Sequence, residues 1–520
     1  MGRRLIHNEL EKNAYWRPDQ VAMVYEGTEH TYAAFDRRVN RTARALADLG
    51  LEPGDRLLAH GFDHVDWHTL FYACSKRGTT FCPVSRFQSH ENLAYIVERL
   101  DPAVVCVTGD ESIVDERLPT IREGAPDVPV LSLDRNVDAW APSGADVQCL
   151  EGLLAEASAE RPSGADDRSP DTVHSVFWTS GTTGRPKGVV RDHRASLHFA
   201  DNLVNDLPFA ASNRRLTTNP MMLIDAYFHY GLPTLMVGGT NVMIRSFSPS
   251  AVLEAVDAHD VDSMHLGFTL ARRVLEAVAE RGERLDLRYL SAVLPSANLA
   301  RALDEQTDAL YHLYGTTEIG LPLVTRVEPP FEGRPPLGKP GIGAEIRLVD
   351  GDEVTSEPPE PGDVGELACR GETTMTRYLD ADVHEARVDD GWIRPGDVFE
   401  IDGNRDLVYQ GRTDDRIRSG GVNVHPGNVE AILEEHPQVE NAVVVGVPDR
   451  TWGERVCALV VADTQPAALA EALEEYCLGS DGLADEVRPR EYAVVASNEE
   501  IPAGGLGKPD RGAIVDRFFG

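Results

Sequence analysis

The apolar run Ser175-Val176-Phe177-Trp178 passes directly into Thr179-Ser180-Gly181-Thr182-Thr183-Gly184-Arg185-Pro186-Lys187-Gly188. Such a run reads as a buried strand, so the ten residues after it are held at a strand end. Glycines there let the backbone approach an anion closely, while hydroxyls and amides donate to phosphate oxygens. Lys187 adds a point charge. No GxxxxGK[ST] can be read in the segment, so it is not a Walker loop. A plain surface turn would not need ten positions of such consistent type.

The rest of the chain continues the pattern. Strand-length apolar runs alternate with helical periodicity, which reads as α/β. Thr31 to Gly50 is a helix with Val39, Ala43, Leu46 and Leu49 on one face, closed by Gly50. Ala103 to Thr108 is a buried strand. Residues 138–171 turn rich in Ser, Ala, Gly and Asp and read as a surface excursion. From Gly341 to Gly371 strict alternation takes over, predicting antiparallel strands and a change of architecture. A further segment opens near Gly411, with a helix at 426–436, strands at NAVVVGV and VCALVVA, and a polar tail. At 520 residues the chain is too long for one core. The expected division is a large domain over 1–410 and a small one over 411–520.

Charge narrows the function. Asp and Glu number 85 against 50 Lys and Arg, giving a net charge of −35. Nucleic acid is therefore a poor partner, because nothing offsets phosphate repulsion. Only five lysines occur, at 12, 76, 187, 339 and 508. An acidic, lysine-poor surface suits a salt-rich cytoplasm, where screening relieves self-repulsion; a genome that favours arginine codons is the alternative. No run approaches a membrane span, and the first twenty residues hold no apolar core of signal length, so a cytoplasmic protein is expected. The seven scattered cysteines offer no zinc pair and no CxxC. No GxSxG nucleophile elbow occurs either.

TSGTTGRPKG resembles the phosphate loop of the superfamily of acyl-CoA synthetases, peptide-synthetase adenylation domains and firefly luciferase. The likeness covers nearly the whole chain, in order. Tyr314-Gly315-Thr316-Thr317-Glu318 is similar to YGxTE, Gly365-Glu366-Leu367 to GEL, and Gly391-Trp392 to Gly396-Asp397 to GWxxxGD. Gly411-Arg412-Thr413-Asp414-Asp415 is similar to GRxDD, and Gly507-Lys508 to the terminal GK. The resemblance implies a large adenylating domain of βα subdomains plus a β-rich subdomain, followed by a small mobile α+β domain. It also implies ATP, Mg²⁺ and CoA as ligands. Thr179, Ser180, Gly181, Thr182, Thr183, Gly184 and Lys187 would take the β- and γ-phosphates. Tyr314 would lie against adenine, Gly315 and Thr316 would belong to the same cofactor-binding stretch, Thr317 would meet the α-phosphate, and Glu318 would hold Mg²⁺ with Thr179. Asp397 and Arg412 would bind the ribose hydroxyls. Lys508 would bridge the substrate carboxylate and the α-phosphate, and Asp414 would be the hinge of domain rotation.

Ser419-Gly420-Gly421-Val422-Asn423-Val424-His425-Pro426 resembles the corresponding stretch of CoA ligases, and Gly420 and Gly421 would let a pantetheine arm pass. Departures lie in the acid pocket. Leu223 stands where many CoA ligases have His, and Asp225 falls where amino-acid-activating domains carry a carboxylate. A carboxylate in an apolar pocket needs a partner: a substrate amine, His229 or an arginine, with the internal partner preferred. His265, Gly267 and Phe268 are wall candidates, and Pro295-Ser296-Ala297-Asn298-Leu299 departs from the family's GGAPL. The expected activity is acyl-CoA synthesis from a fatty or aromatic acid. The alternatives are a stand-alone enzyme charging a carrier protein, and a catalytically silent nucleotide-binding regulator.

Overall fold

The computed structural model describes residues 4–109, 116–134, 147–179, 185–330, 334–349, 351, 354, 357–462, 466–479, 483, 487–502 and 509–520. Two eight-stranded sheets dominate. One runs, in spatial order, Gly320–Val327, Leu310–Thr316, Tyr289–Ala292, Ser263–Leu266, Arg214–Thr217, Thr240–Met243, Val21–Tyr25 and Thr28–Thr31. The other runs Arg377–Tyr378, Lys187–Asp192, Val173–Thr179, Thr80–Ser85, Arg56–Gly61, Val104–Thr108, Val130–Ser132 and Val147–Cys149. Both are parallel in the middle and antiparallel at one or both ends, so their central strands are buried on both faces and read as continuous apolar runs.

One core joins the two sheets. Phe81, Cys106 and Phe177 of the second face Met23, Met243 and Leu313 of the first, with helices Ile6–Trp16, Tyr32–Asp48, Val65–Arg77 and His193–Asp206 between them. At its centre Phe71 stacks on Tyr227 at 4.9 Å. Each such fully buried side chain contributes about 1.5–3 kcal/mol of transfer free energy. The helix read at 31–50 is Tyr32–Asp48. Thr31 caps it by accepting from the Ala34 amide at 3.2 Å, and Val39, Ala43 and Leu46 are fully buried.

Alternation at 344–371 gives antiparallel strands Ala344–Val349 and Val364–Gly371, part of a third, six-stranded sheet ending in Leu407–Arg412. A fourth sheet begins at Ile417 and carries Asn441–Asp449, Gly453–Val461 and Glu491–Val495. Helices cover both its faces: Pro426–Glu434 and Pro466–Gly479 on one, Arg511–Phe518 on the other. The chain is thus mixed α/β, with a large N-terminal and a small C-terminal domain.

Two local readings are corrected. The excursion at 138–171 contains an edge strand, Val147–Cys149, and a helix, Leu150–Glu156, whose Leu150 and Leu154 are buried in the central core. The polar tail forms helix Arg511–Phe518, capped by the Asp510 carboxylate on the Ala513 amide at 3.0 Å. Ile514 and Phe519 anchor it to the sheet. In both places two apolar residues in a polar context suffice because a sheet waits to receive them. Among the described residues, no helix is long and apolar enough to cross a membrane.

Candidate functional site

Strands Val173–Thr179 and Lys187–Asp192 pair antiparallel, with Thr179 directly opposite Lys187. Ser180, Gly181, Thr182, Thr183 and Gly184 lie outside the described residues. Thr179 and Lys187 both line a cavity of about 1160 Å³. Burial and the Arg387 cation pull the Lys187 ammonium below its ordinary value, while Glu318 and Asp414 pull it back up.

Tyr314, Gly315, Thr316, Thr317 and Glu318 reach the same cavity from the end of Leu310–Thr316 and the turn into Gly320–Val327. The turn requires glycine at 315, since a Cβ there would collide with the Gly320 carbonyl oxygen. The Tyr314 hydroxyl donates to Asp397 Oδ2 at 2.7 Å, and its ring meets Phe399 edge-on at 4.8 Å. Asp397 lies cross-strand from Arg412, whose Nε is 3.5 Å from its Oδ1. Arg412 also donates to the Pro395 carbonyl at 3.1 Å. Glu318 Oε1 accepts from the Tyr378 hydroxyl at 3.1 Å.

Sequence reading missed Arg191. It is fully buried, and its guanidinium donates to the carbonyls of Thr317 (3.2 Å), Ala195 (3.2 Å) and Thr373 (2.5 Å). It therefore pins the turn carrying Thr317 and Glu318 to the strand Lys187–Asp192. A charged residue inside the run Val189-Val190-Arg191 was the available signal. Tyr409, whose hydroxyl lies 3.4 Å from Asp397 Oδ1, was missed as well.

The acid-pocket candidates line the cavity together: Leu223, Asp225, His229, His265, Gly267 and Phe268. The partner of Asp225 is neither His229 nor an arginine. Asn219 Nδ2 donates to its Oδ2 at 3.2 Å, and neither ring nitrogen of His229 has a hydrogen-bond partner. An amide satisfies one lone pair but supplies no charge, so burial pushes the Asp225 carboxyl up to about 6. This group favours the protonated fold: it supports stability below pH 4 and opposes it increasingly as pH rises through 6. Asp225→Asn is therefore expected to stabilise the protein by up to about 3 kcal/mol at pH 8, and by about half that at pH 5. Denaturant unfolding at the two pH values measures this, and equal gains at both would point to packing instead of charge.

From the C-terminal domain, Pro426, Gly427, Glu430, Pro509 and Arg511 line the cavity. Lys508 lies outside the described residues. Arg511 is held by Glu430 at 2.9 Å and faces Asp415 at 3.7 Å. Asp414 is exposed, in the stretch between Leu407–Arg412 and Ile417–Ser419. Gly420 and Gly421 stand outside the cavity. They form an exposed hairpin turn with φ of 58° and 86°, which alone accounts for two glycines. Arg272 ties the domains together, 3.3 Å from Glu434. Among the described residues, His7, Glu11 and Asp166 are the one group spaced to hold a cation, but Lys76 and Arg161 already pair with Glu11 and Arg161 with Asp166.

Residues 10–379 match the family model described as AMP-binding enzyme, and residues 428–508 match AMP-binding enzyme C-terminal domain. A feruloyl-CoA synthase from an Amycolatopsis species is 31% identical over 531 residues, covering 98% of each chain. A fatty acid–[acyl-carrier-protein] ligase from Streptomyces coeruleorubidus is 28% identical, over 99% of this chain and 98% of that one. In fold, an anthranilate CoA ligase solved with anthranoyl-AMP superposes with a TM-score of 0.86 at 22% identity, over 99% of this chain and 97% of that one.

Proposed function

The chain belongs to the AMP-binding enzyme family, and on that premise we propose that it joins a fatty or aromatic carboxylic acid to CoA. As an ATP-dependent, AMP-forming acid–thiol ligase it works in two half-reactions. The substrate carboxylate attacks the α-phosphorus of ATP, giving acyl-AMP and pyrophosphate; a thiol then attacks the acyl carbon, giving a thioester, AMP and a proton.

One observation supports the residue roles. Thr179, Lys187, Tyr314, Thr317, Glu318, Asp397 and Arg412, from four separate stretches of sequence, line one cavity together with Pro509, the neighbour of Lys508. Lys187 and the loop ahead of it neutralise the leaving pyrophosphate, which is the main demand of this displacement. Glu318, a half-buried carboxylate, and Thr179 both line the cavity, and their oxygens are the donor type that would hold Mg²⁺. When bound, the ion offsets phosphate charge. The Tyr314 ring borders the adenine. The Asp397 carboxylate, fixed by Tyr314 and Arg412, accepts from ribose hydroxyls. Lys508 enters from the C-terminal domain, residues 411–520, which rotates about Asp414 between half-reactions. Gly420 and Gly421 then face the pantetheine arm.

A cytoplasmic enzyme adapted to high salt fits a charge of −35 carried with five lysines. A panel of fatty and aromatic acids, assayed for ATP-dependent pyrophosphate release with and without CoA, in dilute buffer and in molar KCl, tests the whole reading. Sustained turnover and an acyl-CoA product are expected only with CoA, with activity rising with KCl. Thioester appearing only on a carrier protein would transfer the enzyme to carrier charging. Absence of pyrophosphate release with every acid would leave a catalytically silent nucleotide-binding regulator, and equal activity in dilute buffer would remove the salt adaptation.

A further inference from the structure

His229 lies on the short π-helical segment Ala226–Gly231, a geometry that recurs at functional sites. Its side chain is fully buried and lines the acid end of the cavity, yet both ring nitrogens lack a hydrogen-bond partner. Its ring centroid is 4.4 Å from that of His265, also in the cavity wall. His265 Nδ1 is engaged by Ser291 Oγ at 3.3 Å, and its backbone carbonyl accepts from Thr218 and Tyr230. The His265 ring is thus fixed by its surroundings, while that of His229 is left to a ligand. Buried polar atoms are almost always paired, so an orphan imidazole facing a cavity marks where a polar ligand atom belongs.

We infer that the acid this enzyme activates carries a neutral hydroxyl at its far end, bonded by His229 and His265. The inference rests on the acid-activating reading above. The strand holding His265 is two places from the strand holding Tyr314 in the sheet, about 10 Å away. That spacing seats an aromatic ring, or a ring with a short linker, between the reacting carboxylate and the hydroxyl. Met222, Leu223, Phe268 and Leu294 supply apolar flanks for it.

The alternatives fit the charges less well. Arg215, fully buried, packs its guanidinium over the rings of Phe209, Tyr230 and Tyr289; burial first, with the Arg215 charge adding to it, keeps both imidazoles neutral. That charge opposes a substrate ammonium. A second carboxylate would share the wall with Asp225, whose one partner is an amide. A hydroxyl donates once and accepts once, matching a neutral imidazole that does the same.

The test compares 4-hydroxycinnamate with cinnamate, and 4-hydroxybenzoate with benzoate, with 4-aminomethylbenzoate and terephthalate as cationic and dianionic arms. In wild type, kcat/KM for acid-dependent pyrophosphate release should favour the hydroxylated member of at least one pair by tenfold or more. In His229→Leu the ratio of hydroxylated to deoxy acid should fall to within about twofold; His229→Gln, which keeps a donor and an acceptor, should retain part of the preference. Equal use of both members by wild type, or preference for either charged arm, overturns the hydroxyl inference while leaving the ligase reading intact. Failure of every acid, charged or neutral, to elicit pyrophosphate release removes both.

Discussion

Lys508→Ala is expected to lower acid-dependent ATP–pyrophosphate exchange by about 10³-fold, while conversion of synthetic acyl-adenylate to thioester stays within a few-fold of wild type. The asymmetry follows from where the lysine is carried. Pro509 and Arg511 line the cavity, whereas Gly420 and Gly421 stand outside it on the same domain. On the proposed reading, Lys508, the neighbour of Pro509 in sequence, serves adenylation, and Gly420 and Gly421 serve the thiol step. Separate assays of the two half-reactions decide the matter. Equal loss in both would mean that the substitution damages the domain itself and that Lys508 has no special part in adenylation.

Glu318→Gln should be nearly as severe, at about 10²–10³-fold in acid-dependent pyrophosphate release, and should leave folding untouched. The substitution keeps size and keeps an oxygen for the Tyr378 hydroxyl, which donates to Glu318 Oε1 at 3.1 Å. What it removes is a charge on the wall shared with Lys187 and Thr179. The thermal midpoint should therefore remain within a degree or two while the rate collapses, and added Mg²⁺ should restore part of it. A variant within tenfold of wild type across Mg²⁺ concentrations would take Glu318 out of phosphate charge handling.

Lysine scarcity needs a more careful reading than the sequence invites. Of the five lysines, Lys187 reaches the cavity, but Lys76 is fully buried for another reason. Its ammonium pairs with Asp36 at 2.7 Å and Glu11 at 2.9 Å and bonds Asn40 at 2.7 Å. A compact, three-donor cation fills that pocket where a planar guanidinium would not fit the same three partners. Lys12 and Lys339 lie exposed in surface ion pairs, so rarity alone does not mark function: at Lys76 the need is structural, while Lys187 lines the cavity.

Strands, helices and the ordered motifs were legible because each depends on residues within a few positions. The periodicity of Val39, Ala43 and Leu46 and the strand ending at Thr179 appear in the structure where the pattern placed them, and the alternation read over 341–371 yields strands Ala344–Val349 and Val364–Gly371. Pairings across the chain were not legible in that way. Tyr314 meets Asp397 across 83 positions, and Arg191 reaches the Thr317 carbonyl across 126. The partner of Asp225 was misread although Asn219 is only six residues away. Periodicity says which face a side chain occupies, but not which neighbour a bend brings within 3 Å. The sequence alone determined that this chain is an α/β adenylating enzyme, and it singled out Thr179, Lys187 and Tyr314 to Glu318, which line one cavity. Tertiary structure alone decided which charges are neutralised, which turn Arg191 clamps, and that two histidines share a cavity wall with no partner for one of them, because those facts depend on distances set by packing from several distant segments at once.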